Sequence, residues 1–216
     1  MPKQSKPQQL LVEGKNDQHV IWGLCQQYQL PELFDVAVAS EKSTEGIEAL
    51  LSGLPAKLKE ANLQTLGIVV DADDDLAARW QSLTDKLRES GYQDIPPIPP
   101  PEGWVYQPND PYLPRVGVWI MPNNQLPGML EDFVAALIPA DDALKAKAEA
   151  ILTEIEQEEL NRYTLTHRPK VLIHTWLAWQ KKPGMPMGQA ITARVLDDGS
   201  EIAIAFVEWL KRLFNL

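Results

Sequence analysis

Short apolar runs alternate with segments of helical periodicity along the first two thirds of the chain. The runs are typical of β-strands and occupy residues 10–12, 34–39, 66–70 and 116–121. After each run, apolar positions recur three and four residues apart, which predicts amphipathic helices over residues 20–28, 47–58, 76–87 and 129–138. Successive strand–helix units favour parallel strands joined by right-handed crossovers. The predicted fold is therefore α/β, with a mostly parallel central sheet flanked by helices.

Two segments depart from this alternation. Prolines crowd residues 95–114, and because proline continues neither a helix nor a central strand, we expect a long, stiff loop there. Beyond Pro139 the pattern is only helical, with helices predicted near residues 142–160, 171–180 and 202–214. We therefore divide the chain into a core over residues 8–138, which includes the loop, and a helical C-terminal extension over residues 139–216 packed on that core.

The composition is that of a globular protein. At about 150 residues per domain, the 216 residues predict one domain with elaborations. Hydrophobic residues at 44% and charged residues at 23% exclude a chain that is disordered throughout. No apolar run reaches about 18 residues, so we expect neither a membrane span nor a signal peptide. The single cysteine, Cys25, cannot form an internal disulfide, and we expect a cytoplasmic protein.

The charges are unevenly distributed. A net charge of −10 argues against a surface that binds nucleic acid everywhere, since such binding needs many cations. Residues 161–196, however, contain no Asp or Glu and six Lys or Arg residues. This basic segment suggests a local contact with phosphates, and a solvated helix face is the alternative. The candidate nucleic-acid-binding residues are Lys170, Lys181, Lys182 and Arg194.

Four aspartates crowd the segment Asp71–Asp75, directly after the apolar run 66–70. Ligands of open parallel sheets bind at the carboxyl ends of the strands, and acids placed there can hold a divalent cation. Helix capping is the alternative explanation, and it accounts for one or two aspartates. Four within five residues repel one another unless a cation compensates their charge. We therefore favour a metal site that includes Asp71, Asp73 and Asp75.

Further acids follow two other predicted strands. Glu13 comes after the first strand and is followed by Gly14, which permits a tight turn. Glu131 and Asp132 lie near the start of the helix after the fourth strand, where stabilisation of the helix dipole is the alternative role. Because a parallel sheet brings the carboxyl ends of its strands to one edge, these acids and the aspartate-rich segment are expected to converge there.

These motifs resemble those of the Toprim domain, the metal-binding module of topoisomerases, primases and overcoming-lysogenization-defect nucleases. Residues 11–14, Leu-Val-Glu-Gly, with Asp17 beyond them, look like its strand-terminal Glu-Gly motif. Residues 68–75 look like its Asp-x-Asp motif, with a third acid two residues further on. Residues 122–124 and 128–132 are similar to stand-alone bacterial Toprim-like proteins that are grouped as a family of unknown function.

The resemblance implies a Toprim-like sheet in which Glu13, Asp71 and Asp73 gather Mg²⁺ or Mn²⁺ and act as the catalytic residues. Asp75, Glu131 and Asp132 would serve a second ion or position water. Two such ions polarise a phosphoryl oxygen and stabilise the leaving oxygen. The expected function is a divalent-metal-dependent nuclease, or a related phosphodiester-cleaving protein, that acts on nucleic acid.

Two alternatives remain beside the nuclease. One is a non-catalytic Toprim-like module that binds metal or nucleic acid within a complex. The chain has no GxxxxGK[ST] loop, so any ATP-driven step requires a separate ATPase partner. The other is a phosphatase of the haloacid dehalogenase type, in which Asp71 would be the nucleophile. Against it, Asp75 stands where that family favours Thr or Val.

Overall fold

A computed structural model of the chain describes residues 5–39 and 46–216. Its centre is a five-stranded sheet in the order β2-β1-β3-β5-β4. The strands are β1 (Gln8–Val12), β2 (Asp35–Val38), β3 (Thr65–Asp71), β4 (Trp104–Tyr106) and β5 (Arg115–Met121). All neighbouring strands are parallel except β4, which runs antiparallel to β5. The prediction of an α/β fold with a mostly parallel sheet is confirmed.

Eight α-helices surround the sheet in the described part of the chain. They are α1 (Lys15–Gln27), α2 (Ile47–Lys57), α3 (Leu76–Glu89), α4 (Leu130–Ala136), α5 (Ala143–Gln157), α6 (Arg168–Ala178), α7 (Met187–Thr192) and α8 (Glu201–Phe214). A 3₁₀ turn at Leu165–His167 precedes α6. Within the residues that the structure describes, no helix has the length and apolar character needed to cross a membrane.

Both faces of the sheet are buried, which explains why the strands are continuously apolar. Along β3, Ile68 and Val70 belong to a hydrophobic cluster with α2 and α3, whereas Val69 belongs to a second cluster with α1, α4 and α8. On this second face, Leu213 of α8 packs against Gly67 and Gly117. A Cβ at Gly117 would lie only 2.8 Å from Leu213 Cδ1, so the bare backbone lets α8 approach the sheet closely.

The helical C-terminal extension is joined to the core by shared hydrophobic packing. Helices α6, α7 and α8 contribute to the same cluster as α1 and β1. Helix α7 crosses α1 so closely that a Cβ on Gly188 would overlap the backbone oxygen of His19. The position of α1 therefore depends on the C-terminal helices.

The proline-rich segment contains one element that the sequence pattern does not predict. Strand β4 lies inside the expected loop 95–114 and forms an edge of the sheet. Prolines end at residue 101 and resume at residue 108, so the three residues of β4 keep their amide groups for pairing. The Trp80 indole donates to the backbone oxygen of Pro96 over 3.0 Å, which anchors the polyproline stretch to α3.

A candidate acidic site at the edge of the sheet

The carboxyl ends of β1 and β3 and the first turns of α1 and α4 surround one pocket of about 370 Å³. Four acids line this acidic pocket: Glu13 after β1, Asp17 in α1, Asp71 at the end of β3, and Glu131 in α4. The rest of its lining is Gly14, Lys15, Asn16, Gly46, Leu130 and Lys170. Parallel pairing places Val12 opposite Val69, which brings Glu13 and Asp71 together.

Backbone amides fix three of the four carboxylates. The amide of Asp71 donates to Glu13 Oε1 over 2.8 Å, and the amide of Leu130 donates to Asp71 Oδ1 over 2.8 Å. The amide of Gly14 donates to Asp17 Oδ2 over 3.2 Å. Each carboxylate thus uses one oxygen for a backbone hydrogen bond, which leaves its other oxygen for a ligand.

One of these remaining oxygens stands out. Asp17 is only 7% exposed, and its Oδ1 is buried with no hydrogen-bond partner in the structure. Buried polar atoms in native proteins nearly always have a partner, because leaving one unpaired costs free energy. A carboxylate oxygen in this position calls for a proton or a cation.

The pKa values of three acids in the pocket agree with this need for a proton or a cation. Burial raises the pKa of Asp17 to about 7, and the charges of Glu13 and Glu131 add to the effect. Burial also raises the pKa of Asp71 well above its usual value, with further contributions from Asp17, Glu13 and Glu131. For Glu13, burial raises the pKa despite the amide of Asp71 and the nearby cation of Arg79. The four acids therefore compete for positive charge.

One cation reaches the pocket from the C-terminal extension. Lys170 of α6 lines the pocket, and its Nζ lies 3.3 Å from Oε1 of the buried Glu131. The other predicted basic residues, Lys181, Lys182 and Arg194, are exposed around α7 and do not line the pocket. The structure thus brings one of the four predicted nucleic-acid-binding residues to the acids.

Asp73 lies outside the acidic pocket. Its half-exposed carboxylate pairs with Arg79, whose Nε also donates to the backbone oxygen of Asp71 over 2.8 Å. The backbone of Asp73 is left-handed, with a φ of 53°, and is held by two hydrogen bonds to Gly128 of 2.9 and 2.7 Å. Asp73 does not line the pocket with Glu13 and Asp71, although its charge still acts on Glu13. A role for Asp73 in metal binding stays a prediction.

Asp75 and Asp132 also lie outside the acidic pocket, and each stabilises the start of a helix. Asp75 Oδ1 accepts from the amide of Ala78 over 2.9 Å and caps α3. Asp132 Oδ2 accepts from the amide of Met129 over 2.8 Å at the start of α4. Capping, the alternative for segment 71–75, accounts for the placement of Asp75, and Asp132 lies in the first turn of α4, where the alternative was stabilisation of the helix dipole. The metal roles of both residues remain predictions.

Asp17 is the pocket residue that the sequence reasoning left out of the site. It lies four residues after Glu13, within the first turn of α1, where an acid usually stabilises the helix end. The available signal was the Glu-Gly-x-x-Asp spacing, because one helical turn after a strand end returns the chain to the same edge of the sheet.

The donor set suits a hard divalent cation, since all four acids offer oxygen ligands of the kind that Mg²⁺ and Mn²⁺ prefer. Across residues 5–39 and 46–216, however, no three His, Cys, Asp or Glu side chains are arranged to hold a metal ion. The amide hydrogen bonds described above occupy one oxygen of each of three acids. The buried, unpartnered oxygen of Asp17 is the feature of the pocket that fits a cation.

Comparison with known proteins identifies a family but no characterised relative. A model of the family described as "Protein of unknown function (DUF3226)" matches residues 7–215. No curated protein and no solved structure matches the chain.

Proposed function

The chain belongs to this DUF3226 family of proteins of unknown function, and we propose that it cleaves phosphodiester bonds in nucleic acid with the help of a divalent metal ion. One observation carries the proposal. Four acids from three separate parts of the chain meet in one pocket, where burial raises the pKa values of Glu13, Asp17 and Asp71 and one buried carboxylate oxygen has no partner. Binding of a cation stabilises such a site, because it relieves the repulsion between the carboxylates.

Glu13, Asp17, Asp71 and Glu131 are the residues that would hold Mg²⁺ or Mn²⁺. The bound ion supplies stabilisation of the negative charge that develops on a phosphoryl group during cleavage. The amides of Asp71, Leu130 and Gly14 orient three of these acids. Asp73 would add a ligand only after it leaves Arg79.

The basic residue of the pocket has a role at the phosphate. Lys170 is half-exposed at the pocket, so its Nζ can exchange Glu131 for a phosphate oxygen of the substrate. The acids thus bind the cation, while the basic residue faces the backbone of the nucleic acid.

The test is a cleavage assay on single- and double-stranded DNA and RNA with Mg²⁺, Mn²⁺ or Ca²⁺. We expect cleavage by the wild-type protein and its loss in Asp71→Asn, which keeps the side-chain shape and removes the charge. Asp74→Asn is the matched control, because Asp74 is exposed in the same segment and does not line the pocket. Intact nucleic acid under every condition, with a protein shown to bind the metal, would refute the nuclease proposal.

A second candidate is a non-catalytic module that binds metal or nucleic acid within a complex. The ion pair of Lys170 with Glu131 favours it, because the pocket then satisfies part of its charge without a metal. This candidate predicts nucleic-acid binding without turnover, and activity only when a separate ATPase partner is present. Co-purification with an ATPase, followed by cleavage assays on the reconstituted complex, distinguishes the two.

The phosphatase alternative has less support. A nucleophilic Asp71 would need Asp73 as its acid–base partner at the substrate, whereas Asp73 is paired with Arg79 outside the pocket.

We infer a cytoplasmic setting from Cys25, whose pKa burial raises to about 12, because a lone and unreactive thiol suits a reducing compartment.

A further inference from the structure

Helix α1 carries an exposed stripe that starts at the acidic pocket. The stripe consists of Lys15, His19, Trp22 and Gln26, whose spacings of four, three and four place them on one face of the helix. Lys15 lines the acidic pocket, whereas Trp22 and Gln26 line a second, larger cavity of about 760 Å³. We call this cavity the indole groove. The stripe therefore connects the two cavities along α1.

Trp22 and Trp179 are the exposed tryptophans of the chain. The side chain of Trp22 is 48% exposed, whereas Trp80, Trp119, Trp176 and Trp209 are all buried. The centroid of the His19 ring lies 5.6 Å from that of the Trp22 indole. Packing inside the protein does not account for an indole at this position. Tryptophan that offers its ring face to solvent is typical of a binding surface.

The indole groove combines an aromatic face with amide groups. Gln26 and Gln29 line it, and an amide side chain offers both a donor and an acceptor, as the edges of nucleobases require. The carboxylate of Asp35 is offset by Lys6, whose Nζ lies 3.5 Å away. Glu32 is the acid in the lining without an ion-pair partner among the described residues.

Positive charge flanks the stripe. Gly188 of α7 packs against the backbone of His19, and the adjacent Gln189 accepts a hydrogen bond from Lys182 Nζ over 3.0 Å. The part of the basic segment 161–196 around α7 thus lies beside α1, while Lys170 of the same segment lines the acidic pocket. The stripe itself carries Lys15 and no acid. This arrangement complements the negative charge of a phosphate backbone.

We infer that single-stranded nucleic acid lies along α1, with an unpaired base stacked on Trp22 in the indole groove and the backbone leading past Lys15 to the acidic pocket. The inference rests on the proposed function of that pocket. Lys15 and Trp22 are about 10 Å apart along the helix axis, which corresponds to roughly three stacked nucleotides. A paired base would not offer its face to the indole, so the strand must be single.

The test measures binding of fluorescent 20-nucleotide oligo(dT) and oligo(U) to the full-length protein by anisotropy, in Ca²⁺ at fixed salt. Base stacking is worth about 1–3 kcal/mol, so we expect Trp22→Ala to weaken binding roughly 5- to 150-fold. Trp22→Phe retains a stacking face and should keep most of the affinity. Trp179→Ala is the matched control, because Trp179 is 40% exposed and does not line the indole groove.

The outcomes separate this inference from the nuclease proposal. Binding that is lost in Trp22→Ala, kept in Trp22→Phe and unchanged in Trp179→Ala supports the stacking site even if the protein never cleaves the strand. Cleavage with equal affinity in wild type and Trp22→Ala overturns the stacking site and leaves the nuclease intact. Failure of the wild type to bind either oligonucleotide also overturns it, whatever metal the pocket takes. Light-induced crosslinking of a 5-iodouracil oligonucleotide should map to Trp22, and crosslinks confined to other segments contradict the inference. The oligo(dT) and oligo(U) arms show whether the strand is DNA or RNA.

Discussion

Two acid-bearing segments follow neighbouring strands and differ sharply in what they contribute. The segment Asp71–Asp75 holds four aspartates, and in the structure only Asp71 lines the acidic pocket. The segment Glu13–Asp17 holds two acids separated by three residues, and both line the pocket. The density of acids along the chain is therefore a poor guide to their convergence in space.

The difference arises from local geometry. Asp73 and Asp75 lie where α3 begins, so a cation of that helix and one of its free amides take their carboxylates. Asp17 lies one helical turn after Glu13, which returns it to the strand end that it started from. Helix α7 packs closely against α1, and Asp17 in the first turn of α1 is buried. The acid on the tightly packed helix keeps a carboxylate oxygen without a partner, whereas the acids in the exposed turn form ion pairs and hydrogen bonds with nearby groups.

The sharpest way to break this comparison is to remove one charge from each segment. We expect Asp17→Asn to lower metal-dependent cleavage by at least about 100-fold, because residues that merely support metal ligands are already worth 10- to 100-fold. Asp75→Asn should leave cleavage within about twofold, since asparagine caps a helix as well as aspartate does. The measurement is the single-turnover cleavage rate at saturating metal. Equal losses in the two variants would show that the segments do not differ.

The next effect concerns stability and pH. The pKa of Asp17 is about 7 in the folded protein, against 3.8 for an ordinary aspartate, so the folded state holds a proton that the unfolded chain releases. The resulting stability is complete below pH 3.8 and is lost as the pH rises through about 7. We expect the free energy of unfolding of the metal-free protein to fall by a few kcal/mol across this window. Urea denaturation at a series of pH values measures it.

The Asp17→Asn variant and the addition of a divalent metal test this prediction further. Asp17→Asn should flatten the pH dependence and make the metal-free protein more stable at about pH 8 than the wild type, because it removes an unpaired buried charge. Millimolar Mg²⁺ or Mn²⁺ should raise the melting temperature of the wild type more at about pH 8 than at about pH 5, since protons compete with the cation. A wild-type profile that is flat between these pH values would contradict the proposed state of the acidic pocket.

A smaller effect is expected at Asp73. Its left-handed backbone suits asparagine and costs other residues about 1–2 kcal/mol. We therefore expect Asp73→Ala to lower the free energy of unfolding by about that amount, and Asp73→Asn to lower it less. Chemical denaturation at pH 7 compares the two variants. If Asp73→Asn destabilises as much as Asp73→Ala, the pairing with Arg79 rather than the backbone fixes this turn.

The smallest effect is the cap of α3. Replacing Asp75 by alanine removes the acceptor for the amide of Ala78 and should cost about 1 kcal/mol. Asp75→Asn keeps the acceptor and should lie within a few tenths of a kcal/mol of the wild type. Thermal unfolding with and without metal measures both. A metal-induced stabilisation that disappears in Asp75→Asn would instead return this residue to the metal site.

The fold was predictable from the sequence because its elements have strong periodic patterns. The runs at residues 66–70 and 116–121 lie within β3 and β5, and the apolar spacing over residues 76–87 lies within α3. Strand β4 and helix α7 were not predicted, since three and six residues are too short to show a period. Short elements of this kind are fixed by the tertiary contacts of the finished fold.

The candidate site was predictable in part. The convergence of Glu13, Asp71 and Glu131 follows from parallel topology alone, because strand ends share an edge. The place of Asp73 did not follow, since its neutralisation depends on Arg79 eight residues after Asp71 and on the turn that joins them. Neither did the position of Lys170 at the pocket, because the packing of α6 against α4 has no signature in either helix.

The packing of α8 against Gly67 and Gly117 affects how the chain folds during its synthesis. Gly67 and Gly117 are translated long before Leu213, and ribosomes add roughly 5 to 20 residues per second. The part of this face that α8 covers therefore stays open for several seconds, while the emerging chain already holds the five strands described above. During that interval the nascent protein exposes a sticky apolar surface of the kind that chaperones shield. The acidic pocket, whose helix α1 is held in place by α7, would then be among the last parts to mature.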